Sequence, residues 1–155
     1  MLTTRPDFAN NPPKRYTQTQ MLEFVTDILD EAQWPSVLNA VVAVLKRREV
    51  QSVRVNYGYV FERDVAGQRS PDECVVAISD LGALIERGLR EGTIEWNGHS
   101  DFRFAPVEIP LQLMLCNDAD LHLYSADRTL LRDLSRAFSG CGVKVYECGK
   151  LVETG

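Results

Sequence analysis

The sequence predicts an α+β domain, a mainly antiparallel sheet of hairpins with about four helices packed on one face. Residues 50–62 alternate apolar and polar side chains, which is the period of two that a half-buried strand shows. Pairs of apolar runs flank segments rich in Gly, Pro, Asn and Asp, which is typical of hairpins. Other stretches carry apolar side chains three and four residues apart, the spacing of helices that cover one face of a sheet.

Four segments have this helical spacing: residues 17–32, 35–48, 79–91 and 127–138. Thr17 offers an N-cap to the first helix, with Gln20 three residues later. Pro35 suits the first turn of the second helix, because its missing N–H would have no partner there. Gly92 is the expected stop of the third helix, and Ser125 is the expected cap of the fourth.

Short runs of β-branched, aromatic and alternating apolar residues predict strands at 50–62, 73–78, 93–96, 102–104, 111–116, 121–124 and 143–147. The second run has an alternative, because Ser70 and Glu73 also match a capping box that would begin a helix. The β-branched residues that follow favour the strand. Asn97 and Gly98, after the third run, are typical of a tight hairpin turn.

The chain of 155 residues fits one domain, predicted over residues 17–149, between a loose N-terminal arm at 1–16 and a frayed tail at 150–155. The longest apolar run, residues 40–45, is far shorter than the ~18 residues of a membrane span, and the polar N-terminus lacks a secretion signal. We therefore expect a cytoplasmic protein that does not bind membranes. The four cysteines lack the C-x-x-C spacing, so neither disulfides nor a zinc site are expected.

Negative charge is concentrated in the later strands and turns. The chain has 17 basic and 22 acidic residues, a formal net charge of −5. Between Glu91 and Asp127 there are seven acids and one base, a local balance of −6, so the remainder totals about +1. If these turns share one rim, they form a patch that repels nucleic acid and attracts a basic protein. The alternative is that acids in turns only keep the chain soluble.

The segment from Cys116 to His122 is the most reactive-looking part of the chain. Its two carboxylates, Asp118 and Asp120, and its imidazole suit a divalent metal ion or acid–base chemistry. The segment lacks the glycine and the closing glutamate of a calcium loop. The favoured interpretation is a hairpin turn with an exposed histidine, which strand alternation places on the same face as Tyr124. We therefore assign no metal, no cofactor and no catalytic residue.

A second polar loop, residues 95–101, combines an aromatic residue with histidine, serine and acids. The side chains of adjacent residues diverge, and no nucleophile elbow surrounds Ser100, so a catalytic triad is not predicted. Trp96 is either an interface contact or a residue packed on the sheet. The arginines of the last helix share it with acids, which favours a solvated face over a phosphate site. The sequence contains no phosphate-loop, H-E-x-x-H or dinucleotide motif.

These observations favour a non-enzymatic domain that binds a basic surface of another protein. In general character, as a small acidic α+β domain of the cytoplasm, the chain is similar to bacterial immunity proteins, which neutralise a toxin by direct binding. The likeness is one of type and rests on no motif. The predicted contact residues are Glu95, Trp96, Asp101, Asp118, Asp120 and His122. Two alternatives stay open: a small metal-dependent hydrolase built on Asp118, Asp120 and His122, and a homodimer subunit that buries a sheet edge.

Overall fold

The computed structural model describes residues 21–59, 73–92, 101–116 and 118–154. For residues 56–59, 73 and 101 it describes the backbone only. These residues form eight β-strands and three α-helices. The strands are β1 (Leu22–Thr26), β2 (Ser52–Tyr59), β3 (Glu73–Ala77), β4 (Asp101–Pro106), β5 (Gln112–Leu115), β6 (Leu121–Ser125), β7 (Val145–Glu147) and β8 (Lys150–Leu151). The helices are α1 (Gln33–Arg47), α2 (Leu81–Glu91) and α3 (Arg128–Ser139), and a 3-10 turn (Ile78–Asp80) precedes α2.

All eight strands belong to one antiparallel sheet, in the order β3-β2-β4-β5-β6-β1-β7-β8. Although β1 comes first in the described chain, it lies inside the sheet and pairs with β6 on one side and β7 on the other. Its register sets Val25 opposite His122. β5 and β6 form a tight hairpin in which Met114 also lies opposite His122. The histidine therefore lies on an interior strand, flanked on both sides.

One face of the sheet carries the hydrophobic core. Alternate strand residues on that face and the inward sides of the three helices form a single buried cluster, which includes Phe24, Val55, Phe104, Leu113, Leu123, Val41, Leu45, Ile85, Leu134 and Phe138. The opposite face, called here the second face, carries the side chains that alternate with them, among them Glu23, Arg103, Gln112, His122 and Tyr124. The polar groups of the interior strands therefore gather on the second face.

The predicted first helix, residues 17–32, is wrong where the structure describes it, since β1 occupies part of this range. In β1 the more buried positions alternate with more exposed ones, and Phe24 is fully buried. Val25 and Leu29 also have helical spacing, so this short segment fits both periods. Burial of Phe24 in the core decides in favour of the strand. The described residues thus contain three α-helices rather than about four.

The mixed helix-and-sheet class and the antiparallel pairing are confirmed. The predicted strands at 50–62 and 73–78 pair as β2 and β3, with residues 60–62 outside the described part of the chain, and those at 111–116 and 121–124 pair as β5 and β6. The β-branched residues of β3 prevail over the alternative capping box, and the chain turns into a helix only after them. α2 stops at Gly92, whose φ of 78° is the left-handed conformation that glycine adopts without strain.

The N-cap of α3 is Asp127 rather than the predicted Ser125. Asp127 Oδ1 accepts a hydrogen bond from Leu130 N at 3.1 Å, which satisfies an amide of the first helical turn. Ser125 Oγ instead accepts a hydrogen bond from Asp127 N at 3.0 Å and donates one to Pro110 O. Ser125 therefore supports the cap from the end of the preceding strand.

The C-terminal residues also differ from the prediction. The sequence predicts a frayed tail from residue 150, whereas β8 pairs with β7 through a tight turn. Cys148 and Gly149 both have positive φ, 50° and 77°, as the two central residues of such a hairpin turn require. The predicted arm at 1–16 and the predicted strand at 93–96 lie outside the described residues. Among the described residues, no helix combines the length and the apolar character needed to cross a membrane.

Candidate functional site

The turn between β5 and β6 is held by backbone hydrogen bonds. Cys116 N donates to Asp120 O, and Ala119 N donates to Cys116 O, both at 2.9 Å. Ala119 adopts a φ of 65°, a left-handed conformation that lets the chain close on itself. Leu29 N donates to Ala119 O at 2.8 Å, so the segment after β1 is bonded to the same turn. These bonds bring Cys116 and Asp120 together at one end of the sheet.

Three reactive side chains meet at this turn: Cys116, Asp120 and His122. The sulfur, a carboxylate oxygen and a ring nitrogen all lie within 4.8 Å of one another. His122 Nε2 is 3.1 Å from Asp120 Oδ1, and each of these two side chains is 20% exposed. The sequence predicts an exposed histidine at this position. The ring is half-buried instead, because β6 is an interior strand flanked by β1 and β5.

The other edge of the His122 ring faces Glu23 and Tyr124. Its Nδ1 is 3.4 Å from Glu23 Oε2 and 3.4 Å from the Tyr124 hydroxyl oxygen. The rings of His122 and Tyr124 stack with centroids 6.2 Å apart, because alternate residues of one strand project from the same face. The register of β1 against β6 places Glu23 opposite Tyr124, on the same face as His122. His122 therefore has a carboxylate near each ring nitrogen.

The surroundings of His122 change its proton affinity. Burial of the ring by itself lowers the pKa, since desolvation disfavours the charged imidazolium. The hydrogen bonds with Cys116 and Glu23 and the charge of Asp120 act in the opposite direction and prevail, raising the pKa from 6.5 to about 9. Burial and the Glu23 carboxylate raise the pKa of the Tyr124 phenol as well. At neutral pH the site therefore holds a protonated imidazole beside a neutral phenol.

Carboxylates gather at the end of the sheet where this turn lies. Asp27, Asp30 and Glu31 follow β1 and join Asp118 and Asp120, because the segment after β1 is bonded to the turn. We call these five residues the acidic end. Asp30, Glu31 and Asp118 are exposed. Within the described parts of the chain, none of the five forms an ion pair with a lysine or arginine. The charges of Asp30, Glu31 and Asp118 therefore face solvent, whereas Asp120 is paired with the protonated His122 ring.

Of the six predicted contact residues, the structure brings three together at this turn: Asp118, Asp120 and His122. Asp101 starts β4 at the same end of the sheet, because β4 and β5 are antiparallel neighbours, and its side chain lies outside the described residues. Glu95 and Trp96 lie outside the described residues altogether. The contact role of all six stays a prediction.

Two acids of the same sequence stretch lie at the opposite end, because successive turns of an antiparallel sheet alternate between its ends. Glu108 accepts a hydrogen bond from Gln51 N at 3.3 Å. Asp127 caps α3 and lies 3.6 Å from Arg48. The acidic stretch of the sequence is thus divided between the two ends, and the carboxylates that follow β1 complete the acidic end.

Two arginines of the last helix, and Arg48 at the end of α1, form ion pairs. Arg128 binds both carboxylate oxygens of Glu147, each at 2.8 Å. Arg48, at the end of α1, binds Asp133 of α3 at 2.7 Å, and Arg136 contacts the same carboxylate at 3.4 Å. These contacts favour a charged, solvated helix face over a phosphate site.

Sequence reasoning missed the acidic residues of β1 and of the segment after it, namely Glu23, Asp27, Asp30 and Glu31. The contact between Glu23 and His122 joins residues 99 positions apart, and no local pattern records such a pairing. The one usable signal is the alternation of Glu23 with Leu22 and Phe24, which places Glu23 on the polar side of a strand.

Comparison of the chain with protein families, with characterised proteins and with solved structures found no match. Function must therefore be inferred from the geometry and the charge of the chain itself.

Proposed function

We propose that this protein is a non-enzymatic binding protein whose acidic end occupies a basic surface of another protein. The observation that carries the proposal is the meeting of five carboxylates from two separate segments at one end of the sheet. Among the described residues no lysine or arginine pairs with them. Because the fields of the exposed acids Asp30, Glu31 and Asp118 add, they attract a cationic partner.

Charge of this kind acts first on the rate of association. Opposite charges steer two proteins toward productive encounters and raise the association rate constant up to about 10⁸–10⁹ M⁻¹s⁻¹ at low salt. Dissolved salt screens exposed charges over roughly 10 Å at moderate ionic strength, so the rate falls as salt is added. Steep dependence on salt is therefore the kinetic signature of the proposed surface.

Ile28 supplies an apolar contact within this charged surface. Its side chain is 73% exposed and follows Asp27 directly in the sequence. Full burial of an isoleucine side chain stabilises a complex by roughly 1.5–3 kcal/mol. Surrounding carboxylates would then form the polar rim that protein interfaces have around their apolar centre. This combination supports a protein partner over a small cation.

An inhibitor that neutralises a basic toxin is one form of this function. Such an inhibitor needs no catalytic group, because it acts by covering the partner's surface. The acidic turn of this chain is closed by two backbone hydrogen bonds of 2.9 Å and bonded to the segment after β1. Charges on a rigid turn lose little conformational freedom on binding, which favours affinity.

The test is a charge reversal of two exposed acids of the acidic end, Glu31→Lys combined with Asp118→Lys. A basic protein is captured from the native host with the unmodified chain at low salt and purified. Its association rate is then measured with both chains over a series of salt concentrations. We expect the variant to associate about 10-fold more slowly or worse, with a flatter salt dependence, because the steering field is lost.

Glu49→Lys combined with Glu108→Lys is the matched control. Both acids are exposed and belong to the opposite end of the sheet, so net charge changes equally while the acidic end is kept. The control should associate like the unmodified chain. Equal slowing in both variants, or no slowing in the acidic-end variant, contradicts the proposal.

A further inference from the structure

We propose that Cys116, Asp120 and His122 bind a divalent transition-metal ion, with Zn²⁺ as the best match. Thiolate, imidazole and carboxylate are the three kinds of donor that zinc takes in proteins. Calcium and magnesium instead prefer sites made of oxygen atoms. The cluster of Cys116, Asp120 and His122 contains one carboxylate beside a thiol and an imidazole. These donors favour zinc over calcium or magnesium.

The donor atoms are close to the separations that a tetrahedral ion requires. In a tetrahedral site, zinc–donor bonds of about 2.0–2.3 Å place neighbouring donors roughly 3.3–3.8 Å apart. His122 Nε2 and Asp120 Oδ1 are 3.1 Å apart, and no pair among the three donors exceeds 4.8 Å. The Cys116 sulfur lies within 4.8 Å of the other two donor atoms, and rotation of its side chain can bring it to bonding distance.

The backbone beneath the ligands is already fixed. Cys116 and Asp120 are joined by a backbone hydrogen bond of 2.9 Å, and His122 follows on the interior strand β6. Ligands carried by hydrogen-bonded strands give up little conformational freedom when an ion binds. Three protein ligands also leave a fourth position for water or for a ligand from outside.

Glu23 is the positioning residue for His122. Its Oε2 lies 3.4 Å from Nδ1, the ring nitrogen opposite the one that faces Asp120. A carboxylate that accepts the Nδ1 hydrogen keeps the ring in the tautomer whose Nε2 lone pair can bind a metal. Glu23 lies on β1, a different strand from His122, and approaches Nδ1. A histidine that binds a metal through Nε2 directs the hydrogen of Nδ1 to a supporting group such as a carboxylate. This second observation distinguishes the cluster from a chance meeting of polar side chains.

Ion binding displaces the proton on Nε2. Without an ion, Nε2 donates its hydrogen to Asp120. The ion takes the place of this proton, which leaves to solvent, while the Nδ1 hydrogen stays directed at Glu23. Cys116 binds the ion as its thiolate, so any proton on its sulfur leaves to solvent as well. Asp120, which accepts a hydrogen bond from His122 in the absence of the ion, then binds the ion instead.

Titration of the purified, chelator-treated chain with Zn²⁺ and with Co²⁺ tests the proposal. We expect one ion per chain by calorimetry and, with Co²⁺, the thiolate-to-metal absorption band that requires a sulfur ligand. Cys116→Ser should abolish the band. Cys148→Ser should keep it, since Cys148 is exposed in the turn between β7 and β8. Absence of binding by the unmodified chain, or a band that Cys116→Ser retains, overturns the proposal.

Glu23→Gln is the sharper variant, because it keeps the size of the side chain and removes its charge. We expect Zn²⁺ affinity to fall about 10–100-fold, while the cobalt band and the one-ion stoichiometry are kept. A circular dichroism spectrum equal to that of the unmodified chain shows that folding is intact. Unchanged affinity overturns the proposed geometry. Because no partner protein enters this titration, its failure would leave the partner-binding proposal standing.

Discussion

At the scale of single residues, neighbours decide the chemistry of a side chain more than its type does. The histidine that the sequence places in an ordinary turn has Cys116 and Asp120 on one side and Glu23 on the other. Alternation along β6 predicts the face that His122 shares with Tyr124, because alternation is a local property. No local property predicts Glu23, which reaches the ring from a distant strand.

In the ion-free protein, His122 should titrate near pH 9 instead of near 6.5. Because the folded-state pKa is raised, the protonated ring stabilises the fold fully below about pH 6.5, and this contribution is lost as the pH rises through about 9. The chain has two histidines, and His122→Asn identifies which nuclear magnetic resonance signal belongs to the His122 ring. Urea unfolding over the same pH window should show the accompanying loss of stability.

Asp120→Asn combined with Glu23→Gln is the control for this titration. With both charges gone, burial of the ring lowers the pKa of His122 and the contact with Cys116 is what still raises it, so this pKa should fall below 9. The free energy of unfolding should then vary less between pH 6.5 and 9 than in the unmodified chain. A His122 signal that titrates below 6.5 in the unmodified chain contradicts the described contacts.

At the scale of elements, β1 shows where local pattern stops being decisive. The apolar residues of β1 and of the segment after it have helical spacing at Leu22, Val25 and Leu29. Within β1, Leu22 and Phe24 have the spacing of a strand. A five-residue segment is too short for periodicity to separate the two. Tertiary pairing favours the strand, because β1 lies between β6 and β7 and its backbone groups form hydrogen bonds with both neighbours.

Phe24→Ala should lower the free energy of unfolding by about 3–5 kcal/mol, because the ring is fully buried in the core and its removal leaves a cavity. Urea unfolding followed by circular dichroism measures the change. Ile28→Ala is the matched control, since that side chain is 73% exposed and the substitution should cost within about 0.5 kcal/mol. Similar small effects for both substitutions would contradict the position of β1 inside the sheet.

At the scale of the whole molecule, one sheet and one core connect all the described elements. The buried cluster contains residues of all three helices and of six strands, from Phe24 of β1 to Val145 of β7, and Cys74 of β3 packs against it. The same topology sends successive turns to opposite ends, which divides the acids of the sequence and creates the acidic end. Stability and charge distribution therefore both follow from the sheet order.

A single core should unfold as one cooperative unit. Trp34 of α1 is buried in the shared cluster, and Trp96→Phe leaves it as the sole tryptophan reporter. In that variant, the urea midpoints from Trp34 fluorescence and from the circular dichroism of the sheet should coincide. Two separated midpoints would show that α1 and the sheet unfold independently and would contradict a shared core.

Local order was readable from the sequence wherever the physical cause is local. Three features depend on neighbours within a few positions: the alternation along Ser52–Tyr59, the turn between β5 and β6, and the stop of α2 at Gly92. Asp127 prevailed over Ser125 as the cap because it lies directly before the first helical residue.

The amino-acid sequence by itself determined the mixed fold class, the antiparallel hairpins, the acidic balance and the polar turn with its single histidine. The tertiary structure alone decided that β1 is a strand, that Glu23 meets His122 and that the segment after β1 is bonded to the turn that carries Asp118. The physical reason is the same in each case: strand pairing joins distant segments by backbone hydrogen bonds and burial, which no short stretch of sequence records.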